Sequence, residues 1–226
     1  MKRKVLLIIL IIIFSGVTIY GLFNMLFLQK DYNEAYLVYK NSIESNISEL
    51  KKINSDIIGW IKIDNTNINY PIVKGKDNDY YLNHLYDKTK NSLGSIFMDY
   101  RNNDDFSDKN TIIYGHFAKN NMMFADLAKF KDQSFYDSVS DYQIIIENDI
   151  YKVKIFSTYV SDVYTDAWKL DFNDKEFAEW LKNTQKKSMI KSNIIPKDTD
   201  LIVTLSTCSY EFKNARFVVV GILQKL

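Results

Sequence analysis

The sequence predicts a mainly β domain, an eight-stranded closed barrel or sandwich with peripheral helices, carried behind one long apolar helix. Three observations predict it. Residues 5–28 contain no formal charge. From Ile57 onward, short apolar runs recur at strand period with turn residues between them. Only two later stretches return to helical spacing. An apolar fraction of 46% in 226 residues suffices for one domain core plus appendages. The net charge of +1, with no basic stripe interleaved with aromatics, argues against a nucleic-acid partner. One cysteine excludes an intramolecular disulfide, and with only two histidines it leaves no Cys-rich metal cluster. No metal and no cofactor are expected.

Taken in order, residues 1–4 carry three positive charges, Lys2, Arg3 and Lys4. Residues 5–28 follow, 24 residues mostly of Leu, Ile, Val and Phe. A helix of that length rises ~36 Å, enough to cross a bilayer core with some tilt. A cleavable signal peptide has a shorter apolar region ending in a small-x-small site, and Asn24-Met25-Leu26-Phe27-Leu28 offers none. Residues 5–28 are therefore expected to be an uncleaved, single-pass anchor in the cell membrane. The positive-inside bias makes 1–4 a cytoplasmic stub and places everything after Leu28 outside the cell.

Within 29–55, Tyr32, Ala35, Tyr36, Tyr39, Ile43, Ile47 and Leu50 recur at helical spacing. They predict one amphipathic helix, from about Asp31 to Ile53, packed on the domain that follows. That domain, 56–226, holds eight candidate strands: 57–63, 68–73, 94–99, 111–114, 142–147, 151–160, 201–206 and 216–224. Asn148-Asp149 is a two-residue hairpin signal between the fifth and sixth. Helices are expected at 122–131 and 173–188. In the second, Asn173 and Glu176 have capping-box spacing, and Phe177, Trp180 and Leu181 share a face. Pro71 and Pro196 fit strand edges or turns.

The only cysteine, Cys208, ends an apolar strand, and Arg216 opens the next. A lone cysteine is commonly a small buried hydrophobe. An exported domain with one free thiol and no disulfide is nonetheless a setting for a working thiol. To be a nucleophile, Cys208 needs a base or cationic neighbour. His116 follows Thr111-Ile112-Ile113-Tyr114-Gly115, a strand ending in glycine, which would project its imidazole from a strand end. His84, in the polar and aromatic segment Tyr80-Tyr81-Leu82-Asn83-His84, lacks that geometry and is read as structural. The chain has three arginines, Arg3, Arg101 and Arg216, against 26 lysines. An arginine at a strand end is most often a solvated charge. Here its planar fork suits the oxyanion of a tetrahedral acyl intermediate, a demand that lysine meets less well.

Thr204-Leu205-Ser206-Thr207-Cys208 with the following Arg216, and Tyr114-Gly115-His116 upstream, resemble the TLxTC and His motifs of sortases. Gly59-Trp60-Ile61-Lys62-Ile63, Lys76-Asp77-Asn78-Asp79-Tyr80-Tyr81-Leu82 and Gly94-Ser95-Ile96-Phe97-Met98-Asp99-Tyr100-Arg101 resemble class B sortases in particular. So does a long helix between the sixth and seventh strands. The resemblance runs from about Asp31 to the C-terminus. It implies an eight-stranded sortase-type barrel with a Cys208-His116-Arg216 site and a groove lined by Asn78, Leu82 and Ser206. It also implies a calcium-independent transpeptidase on the outer face of a Gram-positive membrane. Its partners would be secreted proteins bearing a C-terminal sorting signal of NPxTx or PxTG type. The acceptor would be an amine of peptidoglycan or of its lipid-linked precursor. The residue after the cysteine, often acidic in relatives, is Ser209 here. Two other readings fit the residues: a cysteine peptidase with water as acceptor, and a non-catalytic membrane-tethered barrel with an inert cysteine.

Overall fold

The computed structural model describes residues 2–43, 46–118, 121–147 and 149–226, with side chains from residue 10. Eight strands close into a barrel in the order β1-β2-β3-β4-β7-β8-β6-β5. They are β1 (Ile57–Lys62), β2 (Asn69–Lys74), β3 (Ile96–Met98), β4 (Asn110–Tyr114), β5 (Asp141–Ile146), β6 (Asp149–Asp162), β7 (Leu201–Cys208) and β8 (Ala215–Lys225). All eight lie at the expected stretches, and their ends differ by a few residues. β2–β3 and β4–β7 are parallel pairs and the other six are antiparallel. Hairpin reasoning cannot see the parallel ones, because each joins strands separated by a long connection. Ile146 pairs with Asp149, so the β5–β6 turn begins at Glu147 (φ 54°), one residue before the expected signal. Asn148 of that signal lies outside the described residues. Pro71 faces Trp60 of β1 and precedes the stretch of β2 that bonds to β3, so its missing N–H leaves that ladder intact. Pro196 lies in the irregular run before β7.

The N-terminal helices differ from expectation. One helix, α1 (Lys2–Ser42), runs unbroken through the apolar stretch and 14 residues past Leu28. A separate α2 (Ile47–Ile53) follows. The expected single helix from Asp31 to Ile53 is interrupted because Asn46 turns extended and accepts the Glu49 amide at 2.9 Å, starting a new helix. The buried face is also narrower than expected. Ala35, Tyr39, Ile47 and Leu50 are buried, whereas Tyr36 and Ile43, expected on that face, are 58% and 53% exposed. The buried side of α1 is tied to the loop before β3. The Tyr39 hydroxyl donates to Gly94 O at 3.0 Å, and Ser92 Oγ donates to the Asp31 carboxylate at 2.7 Å.

The helix expected at 122–131 is a 3-10 helix, Ala125–Lys131, continued by an unforeseen α3 (Gln133–Ser138). Asp132 starts α3 by accepting the Ser134 amide. The last helix, α4 (Asp174–Lys186), carries the expected capping box: Asn173 accepts the Glu176 amide and Glu176 reaches back.

Strand alternation separates two apolar layers. Val203 and Leu205 of β7 and Phe217 and Val219 of β8 join the barrel core. Their neighbours Ile202, Val218, Val220 and Ile222 face the other way and pack with Phe156 and Tyr159 under Phe177, Trp180 and Leu181 of α4. Cys208 and Arg216 continue this second, outward-facing set, so the thiol stands outside the barrel, beyond the end of the layer that α4 covers.

Candidate active site

The register of β7 against β8 places Cys208 directly opposite Arg216. Directly opposed residues hold their side chains on one face, roughly 5 Å apart at Cβ. Cys208 is a free, half-exposed thiol. Arg216 is half-buried, and its Nη1 donates to Ala215 O at 3.0 Å, which fixes one arm of the guanidinium. The parallel β4–β7 pair sets Tyr114 beside Ser206, and the Gly115 amide donates to Ser206 O at 3.1 Å. His116 therefore leaves β4 at the level where Cys208 leaves β7.

The His116 ring is held from outside the strands. Its Nε2 lies 2.7 Å from Leu82 O. A carbonyl only accepts, so Nε2 carries a proton there, and Nδ1 is the nitrogen left for exchange with the cleft. The group that orients this imidazole is a backbone carbonyl. Gly115 permits this path. A Cβ built on it would come within 2.5 Å of Ile96 Cδ1 and 2.7 Å of the Phe124 ring. Gly115→Ala is expected to destabilise the fold by about 1–3 kcal/mol through overpacking. The same change should depress turnover more than a melt accounts for, because His116 moves with it. Thermal melts beside steady-state kinetics check this, and an unchanged melting temperature would contradict it.

All six residues singled out in the sequence, Cys208, His116, Arg216, Asn78, Leu82 and Ser206, line one cleft of about 490 Å³. His84 lies outside it, stacked on Tyr80 at 4.0 Å. Sequence reasoning missed the remaining walls. Val163 and Trp168 come from the β6–α4 connection. That connection is fastened by Asn110, whose Nδ2 donates to Lys169 O at 3.0 Å and whose Oδ1 accepts from Thr204 Oγ1 at 2.7 Å. Phe97, Tyr114 and Thr207 also line the cleft, and Thr207 Oγ1 is buried with no hydrogen-bond partner among the described residues.

Two charged groups border the site. Ser209 Oγ donates to Glu211, and Lys131 Nζ contacts both Glu211 and, at 3.2 Å, Ser209 Oγ. The Lys131 ammonium, and then the Ser209 hydroxyl, push the Glu211 carboxyl down to about 2. An acidic group thus stands near the cysteine although the next residue is serine. On the other side, burial alone would raise the Asp99 carboxyl, but donors from Arg101 and Tyr114 outweigh burial and hold it below the ordinary range. Burial, reinforced by the Asp99 charge, raises the Tyr114 hydroxyl well above its usual value. Among the described residues, no group of three or more His, Cys, Asp and Glu could hold a metal ion.

A family described as Sortase domain matches residues 61–224. The chain is 40% identical over 186 residues to sortase B of Listeria monocytogenes, covering 79% of this chain and 74% of that one. It is 35% identical over 202 residues to sortase B of Staphylococcus aureus, covering 88% and 83%. Among solved structures, B. anthracis sortase B in complex with AAEK1 superposes with a TM-score of 0.80 at 36% identity, covering 88% of this chain and all of that one.

Proposed function

Since this chain belongs to the sortase family, as a sortase B-type cysteine transpeptidase that anchors proteins to the cell wall, we propose that it works by ping-pong acyl transfer through Cys208. A secreted protein presents a C-terminal sorting motif of NPxTx or PxTG type. With the thiol proton held on His116 Nδ1, Cys208 sulfur attacks the threonine carbonyl carbon, and the C–S bond forms as the carbonyl becomes an oxyanion. Arg216 donates to that oxyanion. The C–N bond breaks, and the departing amine takes its proton from His116 Nδ1. An amine of peptidoglycan or of its lipid-linked precursor then attacks the thioester and gives a proton to His116. The C–S bond breaks, the sulfur takes that proton from His116, and the thiol is restored. Asn78, Leu82 and Ser206 contact the motif.

The observation that carries this reading is the convergence of Cys208, His116 and Arg216 on one cleft from three strand ends. The test is product analysis by mass spectrometry, with a sorting peptide supplied alone and with an added amine. Acyl transfer predicts a peptide–amine product that displaces the hydrolysed acid as amine rises. Hydrolysed acid alone, at every amine concentration, would make the enzyme a peptidase.

We also propose that residues 5–28 anchor the enzyme in the membrane, with 1–4 cytoplasmic and the barrel, 56–226, outside. Support comes from the length of the apolar stretch of α1, none of whose described residues is buried against the barrel, and from the basic flank. Membrane-extracted protein should retain residues 1–28 by intact mass; a mature form beginning near residue 29 would contradict the anchor. A variant starting at Gln29 keeps the Asp31 and Tyr39 contacts and the whole barrel. It should be soluble and turn over peptide at the full-length rate.

A further inference from the structure

Of the three arginines, Arg101 is one that the reaction above leaves without a part. It folds back onto Asp99, which stands just past β3 and is fully buried. Arg101 Nε donates to Asp99 Oδ1 at 2.9 Å and Nη2 to Oδ2 at 2.7 Å. The Arg101 amide adds a bond to Oδ1 at 3.0 Å. A further donor is the Tyr114 hydroxyl, 2.9 Å from Oδ2. That hydroxyl is committed to Asp99, so Tyr114 offers the cleft its ring, which packs against Phe97 with centroids 5.3 Å apart.

The same turn fixes a second cleft residue. The Tyr100 amide donates to Asn78 Oδ1 at 3.0 Å. A backbone N–H can only donate, so the oxygen of Asn78 must face it, and the Nδ2 amine is the end left for the cleft. Asn78 is half-buried and lines that cleft beside Leu82. Two walls of the peptide groove, Tyr114 and Asn78, therefore depend on one turn, and the turn is locked by a buried carboxylate gripped by a planar fork. A lysine at 101 could neutralise Asp99 but could not span both of its oxygens.

We propose that Arg101, through Asp99, is a positioning residue for the sorting peptide. It holds Tyr114 as an apolar wall and holds Asn78 so that Nδ2 donates to a carbonyl of the bound motif. This rests on the cleft being the groove for that motif.

The test is steady-state kinetics of the full-length enzyme in detergent, with a sorting peptide and a fixed amine. Arg101→Lys should raise the peptide KM about tenfold, the weight of one hydrogen bond to substrate, with kcat within about twofold and the amine KM unchanged. Asn78→Asp keeps an oxygen for the Tyr100 amide but removes the donor, and it should raise the peptide KM as much as Asn78→Ala does. Because Asn78 is half-buried, that arm holds even if Arg101→Lys folds poorly. Arg101→Lys combined with Asn78→Ala should raise KM no further than the larger single change, since one acts through the other. An unchanged peptide KM in Arg101→Lys, a fall in kcat alone, multiplying effects in the double variant, or a wild-type KM in Asn78→Asp would each overturn the positioning role. A wild type that turned over no sorting peptide would overturn the proposed function as well, and so is distinguishable from failure of the clamp alone.

Discussion

Cys208→Ala and His116→Ala are each expected to lower turnover by about 10⁴-fold or more while leaving the barrel folded. For Cys208 the reason is that no other residue lining the cleft offers a comparable nucleophile. Thr207 Oγ1 is buried, and Ser206 Oγ belongs to a residue 2% exposed. Removing one sulfur from a half-exposed strand end opens little cavity, so the melt should stay within a few degrees of wild type. For His116 the reason is the leaving group. An expelled amine needs its proton supplied, and no other imidazole reaches the cleft. His84→Ala is the control. Its ring stacks on Tyr80 and its Nδ1 faces Tyr80 O at 2.8 Å, away from the cleft, so turnover should be unchanged. A dead His84→Ala beside an active His116→Ala would reverse the assignment.

Arg216→Lys is expected to lower kcat by roughly 100-fold, about 3 kcal/mol of transition-state stabilisation, with little change in the melt. Charge is conserved in this variant, so the loss isolates donor geometry. Arg216 already gives one nitrogen to Ala215 O, which holds one arm of the fork and leaves its other N–H groups for the cleft that it lines. A lysine ammonium on a flexible stem has no comparable second anchor. Steady-state kinetics beside a thermal melt reads the effect. Turnover near wild type in the lysine variant would remove Arg216 from oxyanion stabilisation.

The barrel strands were legible as short apolar runs between turn residues, and β7 also sorts its faces by alternation, Ile202, Thr204 and Ser206 on one side and Val203 and Leu205 on the other. The capping box at Asn173 was equally plain, being a local signal. What could not be read was long-range or carried by the backbone. The β4–β7 pairing that brings Tyr114 beside Ser206 joins residues 92 positions apart (206 − 114) across several other elements. The Leu82 carbonyl that orients His116 has no side-chain signature at all, although Leu82 itself was picked as a groove residue. The split between α1 and α2 turned on one capping asparagine, Asn46, whose competition with a continuous apolar stripe a periodicity argument does not weigh. Arg101 was noticeable for its rarity, but its grip on Asp99, two residues back in a turn, depends on a side-chain geometry that no sequence pattern marks.

In the proposed reaction Cys208 carries the acyl group between donor and acceptor. The direct measurement is to mix the wild-type enzyme with a sorting peptide in the absence of amine, quench in acid, and map the protein by mass spectrometry. The expected result is a mass increase equal to the acyl half of the peptide, located on Cys208, sensitive to hydroxylamine, and discharged into a peptide–amine product when an acceptor amine is added before the quench. An adduct on another residue, or product formed at full rate by Cys208→Ala, would contradict it.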